Sequence, residues 1–255
     1  MLQDRDHNLG GPMAIEQEFR FALSPHDFSR LLESLGTPEQ TIRQENHYFD
    51  TPDGRLLAIR GGLRLRIEDG LRHVVTLKRP AQSGSPGRPG VDRREEIEID
   101  IDGDAAARLL TGRARLGELG LALPAGMASE TLSAPLVPLG TIRTVRRRYR
   151  LSAEHLGGSF PDPSRAGAGA AGAVHGEARV HGKACVHGKA CVFEMDDVLM
   201  PDGCRFHDLE IEWQGAETKD MESSLRAFLR SLGIEPRPQP LTKLARLMEH
   251  RARTA

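Results

Sequence analysis

Alternation of apolar and charged residues with a period of two runs through much of this chain and constrains its fold more than any other feature. The segment Ala14–Leu23 reads AIEQEFRFAL, so apolar and charged side chains emerge on opposite faces. Because side chains alternate across a strand, this pattern predicts β-strands with one buried face. It predicts six further strands, at Leu63–Ile67, His73–Lys78, Arg94–Ile101, Thr141–Leu151, Cys191–Val198 and Phe206–Trp213.

Helices are fewer than strands. Ser24 followed by Pro25 is a typical helix start, and Gly36 is a typical stop. The sequence predicts four helices, at Pro25–Leu35, Ala105–Leu110, Lys219–Leu232 and Thr242–Arg253. Many strands with few helices indicate one α+β domain built on an antiparallel barrel or a curved sheet.

Charge and composition exclude several classes of protein. The 255 residues carry 35 Lys and Arg against 36 Asp and Glu, a net charge of −1, which argues against a basic nucleic-acid-binding protein. No apolar run approaches the roughly 20 residues of a membrane helix, and the N-terminus lacks the apolar core of a signal peptide. Three cysteines are too few for a disulfide framework. We expect a cytoplasmic protein with no nucleic-acid or membrane partner.

Two segments fall outside the predicted strands and helices. Residues 1–12 are expected to form a disordered leader before a single domain at 13–251. Within that domain, a low-complexity insertion rich in Gly, Ala and His spans about residues 157–190. It contains three similar hexapeptides, which start at Val174, Val180 and Val186. Their His and Cys spacing does not match a zinc module, so duplication within a loop explains them better.

The polar faces of the predicted strands carry like charges in pairs two residues apart. Such side chains lie about 6–7 Å apart on one face. A solvated sheet face is one explanation of this pattern, and a charged barrel lumen is the other. In a lumen, carboxylates would hold a divalent cation and arginines would bind phosphate oxygens, an arrangement suited to a metal-bound polyphosphate. The pairs are Glu16 and Glu18, Arg64 and Arg66, Glu96 and Glu98, Arg146 and Arg148, and Glu210 and Glu212.

The first strand resembles the E-x-E-x-K signature that opens the CYTH family, the triphosphate tunnel metalloenzymes, with Arg20 in place of the lysine. That family includes thiamine triphosphatases, inorganic tripolyphosphatases and class IV adenylate cyclases. The resemblance continues in the family's order through Tyr48–Asp53, Leu63–Arg66, Thr76–Lys78, Arg93–Glu98, Glu194–Asp197, Leu209–Glu212 and Thr242–Arg246.

The resemblance implies an eight-stranded antiparallel β-barrel whose lumen binds a small triphosphate with Mg²⁺ or Mn²⁺. Water would attack the terminal phosphoryl group without a covalent intermediate. The metal ligands implied are Glu16, Glu18, Asp196, Glu210 and Glu212. The phosphate-binding residues implied are Arg20, Arg64, Arg66, Lys78, Arg146 and Lys243, and the catalytic residues are Glu16, Glu18, Arg20 and Lys78.

Several alternatives remain open at the level of sequence. The same motifs would serve a class IV adenylate cyclase, and a non-catalytic module that binds polyphosphate or nucleoside triphosphates is a third possibility. Arg143, Arg147 and Arg148 compete with Arg146, although strand parity excludes Arg147 from the face that Arg146 shares with Arg148. Asp197 competes with Asp196. The sequence allows either a monomer or a homodimer.

Overall fold

Nine β-strands and six α-helices make up the part of the chain that the structure, a computed structural model, describes: residues 14–80, 91–123, 127–152, 190–213 and 218–254. The strands are β1 (Ala14–Leu23), β2 (Gln40–Asp50), β3 (Gly62–Glu68), β4 (Arg72–Pro80), β5 (Val91–Ile101), β6 (Val137–Ser152), β7 (Ala190–Leu199), β8 (Arg205–Trp213) and β9 (Arg237–Pro238). The helices are α1 (Pro25–Leu35), α2 (Arg55–Ala58), α3 (Gly103–Leu110), α4 (Ser129–Ser133), α5 (Thr218–Ser231) and α6 (Lys243–Thr254).

The sheet closes on itself. Its strands follow the order β5-β4-β3-β2-β6-β7-β8-β1, each antiparallel to its neighbours, and β1 also pairs with β5. Glu18 of β1 therefore lies between Glu212 of β8 and Asp92 of β5. The short β9 pairs with β1 beyond the end of the β5 ladder. The result is the eight-stranded antiparallel barrel that the sequence analysis predicted.

Two groups of strands have apolar outward faces that are covered by helices. α1 and α5 cover β1, β7 and β8, whereas α2, α3 and neighbouring loops cover β3, β4 and β5. Burial of each large apolar side chain in these layers contributes about 1.5–3 kcal/mol, so the outer layers hold the barrel together. The charged faces of the same strands must then point inward. The first layer includes Phe19, Phe28, Phe193, Leu225 and Phe228, and the second includes Leu56, Leu65, Val75, Ile97 and Leu109.

Helix α6 closes one end of the barrel. Its Leu247 is fully buried in a third apolar cluster with Tyr48, Ile142 and Val198, which project inward from β2, β6 and β7. Gly140 of β6 lets the helix come this close, because a Cβ there would lie 3.0 Å from Leu247 Cδ1. The φ of +151° at Gly140 also favours glycine. This contact fixes where the first residue of α6 enters the lumen.

The predicted elements compare closely with the observed ones. Helix α1 begins and ends as predicted: Ser24 Oγ accepts a hydrogen bond from the Asp27 amide at 3.1 Å, and Gly36 follows with a φ of +70°. Strand β2 was not among the predicted strands, since polar residues occupy both its faces. Helix α4 and the first residues of β6 lie in a stretch for which the sequence predicts neither a helix nor a strand. The predicted leader lies outside the described residues, as does the insertion up to residue 189.

The close approach at Gly140 leads to a first prediction. Gly140→Ala is expected to destabilise the protein by about 1–3 kcal/mol, because the new methyl group meets Leu247 and the backbone conformation disfavours a Cβ. Urea unfolding measures the change. Gly103→Ala is the control, since no atom of the described residues lies within 4 Å of the Cβ it would add. Equal stability of the two variants would contradict the proposed packing.

Candidate active site in the barrel lumen

Acidic side chains line one side of the lumen on three adjacent strands. Strand pairing sets Glu18 of β1 opposite Glu212 of β8, and Glu210 of β8 opposite Glu194 of β7. Like charges directly opposite each other destabilise a sheet. These carboxylates are also largely buried, with Asp196 of β7 fully inaccessible to solvent. The lumen therefore requires cations close to these carboxylates.

Arg146 of β6 is the cation at the centre of this acidic wall. Its Nε and Nη2 atoms donate to the two oxygens of Asp196 at 2.8 and 2.6 Å, a bidentate arrangement. Nη2 also donates to Glu210 Oε2 at 2.5 Å, and Nη1 contacts Glu194. Because β6 pairs with β7, Arg146 lies directly opposite Asp196. One guanidinium thus neutralises carboxylates from two strands.

Lys243 supplies a second cation from outside the sheet. It is the first residue of α6, and its ammonium group lies 2.9 Å from Asp196 Oδ2 and contacts Glu210 Oε1. Asp196 and Glu210 are therefore each shared between Arg146 and Lys243. The packing of α6 against Gly140 places this ammonium group in the lumen.

The pKa values reflect this mutual neutralisation. Burial favours the neutral form of Glu210, but Lys243 and Arg146 outweigh burial and hold the pKa of Glu210 far below its usual range. Burial also disfavours the charged form of Lys243, yet Asp196 and Glu210 raise the pKa of Lys243 above its ordinary value. Both groups are therefore ionised at neutral pH.

Glu18 is less well compensated than the other acidic residues. Burial first, and the neighbouring charge of Glu210 second, raise the pKa of Glu18 to about 7. Arg20, two residues further along β1, is 3.6 Å from Glu18 Oε1 and lies opposite Glu210 across the ladder to β8. Because burial and the charge of Glu210 both disfavour the ionised form of Glu18, a bound cation beside Glu18 would stabilise its carboxylate.

A basic wall lies on the other side of the lumen, on β3 and β4. Arg66 contacts Glu98 at 3.2 Å and Glu68 at 3.0 Å, and Lys78 contacts Glu96 at 3.0 Å. Arg64 lies opposite Thr76, and its Nη2 donates to Thr76 Oγ1 at 3.5 Å. Three cations thus face the acidic wall across the barrel.

The structure brings together every predicted site residue whose side chain it describes. The side chain of Glu16 lies outside the described part, although its backbone pairs with that of Arg94 in the β1–β5 ladder. Parity places Arg147 and Asp197, two of the competing residues, outside the lumen, whereas Arg148 shares the inward face of Arg146. Arg147 points outward, with its guanidinium carbon 6.0 Å from the Phe28 ring, and Asp197 pairs with Arg205 at 3.0 Å on the outer face. The described members are Glu18, Arg20, Arg64, Arg66, Lys78, Arg146, Asp196, Glu210, Glu212 and Lys243.

Sequence reasoning missed some acidic residues of the lumen. Glu194 is buried between Arg146 and Arg148, 2.7 Å from Arg148 Nε, and Asp208 is buried beside Gln239 and Arg246. Burial raises the pKa of Asp208 to about 6, with Lys243 opposing the shift. Both residues lie two positions before a predicted ligand, Asp196 or Glu210. The i, i+2 rule that selected the other pairs would have found them.

The donor set fits a hard divalent cation in chemical type, since such ions prefer carboxylate oxygens. Within the described ranges, no three acidic, histidine or cysteine side chains are gathered so that they could hold a metal ion as they stand. The reason is local, because Asp196 and Glu210 point their oxygens at Arg146 and Lys243. Binding of a cation would require these ion pairs to exchange partners.

The closed barrel and its charged lumen define a tunnel-type fold, and comparison with known proteins agrees. A family model described as "CYTH domain" matches residues 14–246. The chain therefore belongs to the CYTH domain family, whose members are enzymes. Among curated proteins, none is similar enough to count as a match. Within the described ranges, every helix is too short or too polar to cross a membrane.

Solved structures share this fold at low sequence identity. A proposed adenylyl cyclase from Hippeastrum, described as having a dominant triphosphatase activity, is 22% identical with a TM-score of 0.66, covering 92% of this chain and 96% of that one. A proposed adenylate cyclase from Bacillus halodurans is 20% identical with a TM-score of 0.57, covering 92% and 97%. The PH1819 protein of Pyrococcus horikoshii is 18% identical with a TM-score of 0.53, covering 92% and 99%.

The central position of Arg146 leads to a second prediction. Arg146→Met is expected to destabilise the protein by about 3 kcal/mol or more, because it leaves buried carboxylates on β7 and β8 without their shared cation. Chemical denaturation at neutral pH measures the loss. Arg143→Met is the control on the same strand, since the Arg143 pair with Glu45 is exposed and should contribute less than about 1 kcal/mol. A loss at Arg146 no greater than at Arg143 would contradict the role of Arg146.

Proposed function

We propose that this protein is a divalent-metal-dependent hydrolase of inorganic triphosphate or of a small organic triphosphate. The observation that carries the proposal is the mutual pairing of buried carboxylates and buried cations around Arg146 in a closed tunnel. A bare polyanion would take the cations and leave the carboxylates uncompensated. A metal-bound triphosphate would satisfy both sets, since it brings a cation for the carboxylates and oxygens for the arginines.

The acidic wall is the proposed metal site. Glu18 supports this assignment, because burial and the neighbouring charge of Glu210 make its ionised form costly, and a bound cation would offset that cost. A bound divalent ion would supply charge neutralisation on the phosphate oxygens and a position for the attacking water. The residues proposed to hold it are Glu16, Glu18, Asp196, Glu210 and Glu212, with Mg²⁺ or Mn²⁺ as the expected ion.

The cations of the lumen are proposed to bind the phosphate groups. Arg146 and Lys243 would turn from their carboxylates to phosphate oxygens, and Arg64 and Arg66 would bind from the basic wall. Positioning and charge stabilisation supply most of the rate in phosphoryl transfer, since the transition state asks for little covalent chemistry from the protein. Arg20 of β1 and Lys78 of the basic wall are proposed to stabilise charge that develops on the terminal phosphoryl group as water attacks.

The similarity to known proteins supports the same reaction. The chain shares its fold with the Hippeastrum protein, which is described as having a dominant triphosphatase activity. We extend that reaction class to this chain because the lumen residues described above suit it.

A substrate panel tests the proposal. Purified protein is expected to release phosphate from at least one of tripolyphosphate, thiamine triphosphate, ATP and GTP when Mg²⁺ or Mn²⁺ is present, and to lose this activity in EDTA. Chromatography identifies the products. Cyclic AMP and pyrophosphate from ATP would indicate an adenylate cyclase instead, and tight binding without turnover would indicate a non-catalytic module.

Neighbouring aspartates on β7 allow a matched test of the site. Asp196→Asn is expected to lower kcat/KM by about 10²-fold or more, because Asp196 faces the lumen between Arg146 and Lys243. Asp197→Asn should stay within about threefold of the wild type, because Asp197 faces outward toward Arg205. Steady-state kinetics on the substrate found by the panel compares the two variants. Thermal melting confirms that both variants are folded. Similar losses in the two variants would refute the lumen site.

A further inference from the structure

The lumen wall formed by β2 and β6 is largely neutral, in contrast to the charged walls around it. Strand parity directs four side chains of β2 and two of β6 inward, next to Arg146. Aliphatic and aromatic residues occur here together with amides and a hydroxyl, a composition typical of sites for organic ligands. We define the neutral wall as Ile42, Gln44, Asn46, Tyr48, Ile142 and Thr144.

Three polar atoms of the neutral wall are buried without a hydrogen-bond partner among the described residues: Gln44 Nε2, Asn46 Oδ1 and Thr144 Oγ1. The three residues are only 3%, 1% and 2% exposed, respectively. An unsatisfied buried polar group costs about 1–3 kcal/mol, so three on neighbouring positions call for an explanation. Gln44 pairs directly with Thr144 across the ladder, and Asn46 is two residues further along β2.

The neutral wall adjoins the proposed phosphate-binding cations. Asn46 lies opposite Arg66 in the β2–β3 ladder, and Tyr48 lies opposite Arg64. Thr144 is two residues before Arg146 on the same face of β6. A ligand whose phosphates contact these arginines would bring any attached organic group against the neutral wall.

We infer that the neutral wall binds the sugar of a nucleoside triphosphate, with the hydroxyl groups hydrogen-bonded to Gln44, Asn46 and Thr144. This inference rests on the proposed triphosphatase function. It narrows the substrate to a triphosphate whose organic part is uncharged and bears hydroxyl groups. A hydroxyl group both donates and accepts, so it can satisfy the amide N–H and the amide oxygen together. Ile42 offers apolar contact to the carbon atoms of the ring.

Other occupants match the neutral wall less well. Phosphate oxygens only accept hydrogen bonds when ionised, so a phosphate could pair with Gln44 Nε2 but would leave Asn46 Oδ1 unsatisfied. A cationic organic group, such as the thiazolium ring of thiamine triphosphate, would lie close to Arg66 and Arg146 and would be repelled. Inorganic tripolyphosphate has no group that needs this wall.

Isosteric variants separate these occupants. Asn46→Leu and Thr144→Val remove hydrogen-bonding groups with little change of shape, and kinetics are measured with ATP and with tripolyphosphate in Mg²⁺. We expect each variant to lower kcat/KM for ATP about tenfold and to leave tripolyphosphate within about twofold. Thr141→Val is the matched control on β6, because Thr141 points outward and bonds His47 Nδ1 at 2.9 Å.

Two further measurements do not depend on turnover. Calorimetry with the β,γ-methylene analogue of ATP and Mg²⁺ should show about tenfold weaker binding to Asn46→Leu than to the wild type. Thermal melting of ligand-free Asn46→Leu should match or exceed the wild type, because an unsatisfied buried amide has been removed. A lower melting temperature for both isosteric variants would show that these groups have structural partners, and would overturn the inference.

The outcomes distinguish this inference from the proposed function. Equal losses with ATP and tripolyphosphate would show that the neutral wall binds phosphate, and no loss with either would show that it binds nothing; both results overturn the inference alone. Hydrolysis of tripolyphosphate without hydrolysis of ATP, GTP or another nucleoside triphosphate would also overturn it and leave the triphosphatase proposal intact. Absence of turnover with every substrate refutes the proposed function. If Asn46→Leu then also leaves binding of the ATP analogue unchanged, the inference is refuted as well.

Discussion

The contact of Arg146 and Lys243 with the buried carboxylates of β7 and β8 is the interaction on which the rest of the lumen depends. Strand pairing places glutamates opposite glutamates, an arrangement that a sheet tolerates only with cations between them. Arg146 comes from within the barrel wall, but Lys243 enters from α6. This helix must therefore close one end of the barrel. The close packing of α6 leaves no room for a side chain at position 140, which is Gly140.

Buried ion pairs of this kind contribute little net stability, because desolvation offsets most of their attraction. The stability of the barrel must come from its outer layers, where helices α1, α3 and α5 cover the apolar faces of the strands. This division leaves the lumen free to carry groups selected for binding. The ion pairs hold the lumen charges in place while keeping them available to a ligand that carries both signs of charge.

The alternation of side chains along each strand determines how much of the site can be predicted from the sequence. Residues whose charge repeated at i and i+2 on a strong strand share the lumen face, as Arg146 and Glu210 illustrate. Glu194 and Asp208 obey the same rule but were not predicted, because the family motifs imply roles only for Asp196 and Glu210, two residues further on. The neutral wall could not be found this way. Strand β2 is polar on both faces, so its sequence does not show which face is enclosed.

The sequence by itself determined most of the strands, the apolar and the charged face of each of these, and the membership in a family of tunnel-type barrels, because these depend on local alternation and on ordered motifs. Only the tertiary structure decided which charges meet. Partners such as Arg146 and Glu210 are 64 residues apart in the chain, and barrel closure with its register sets their contact. Likewise, only the closed barrel shows that Gln44 and Asn46 are buried without partners among the described residues, because burial depends on all the strands around them.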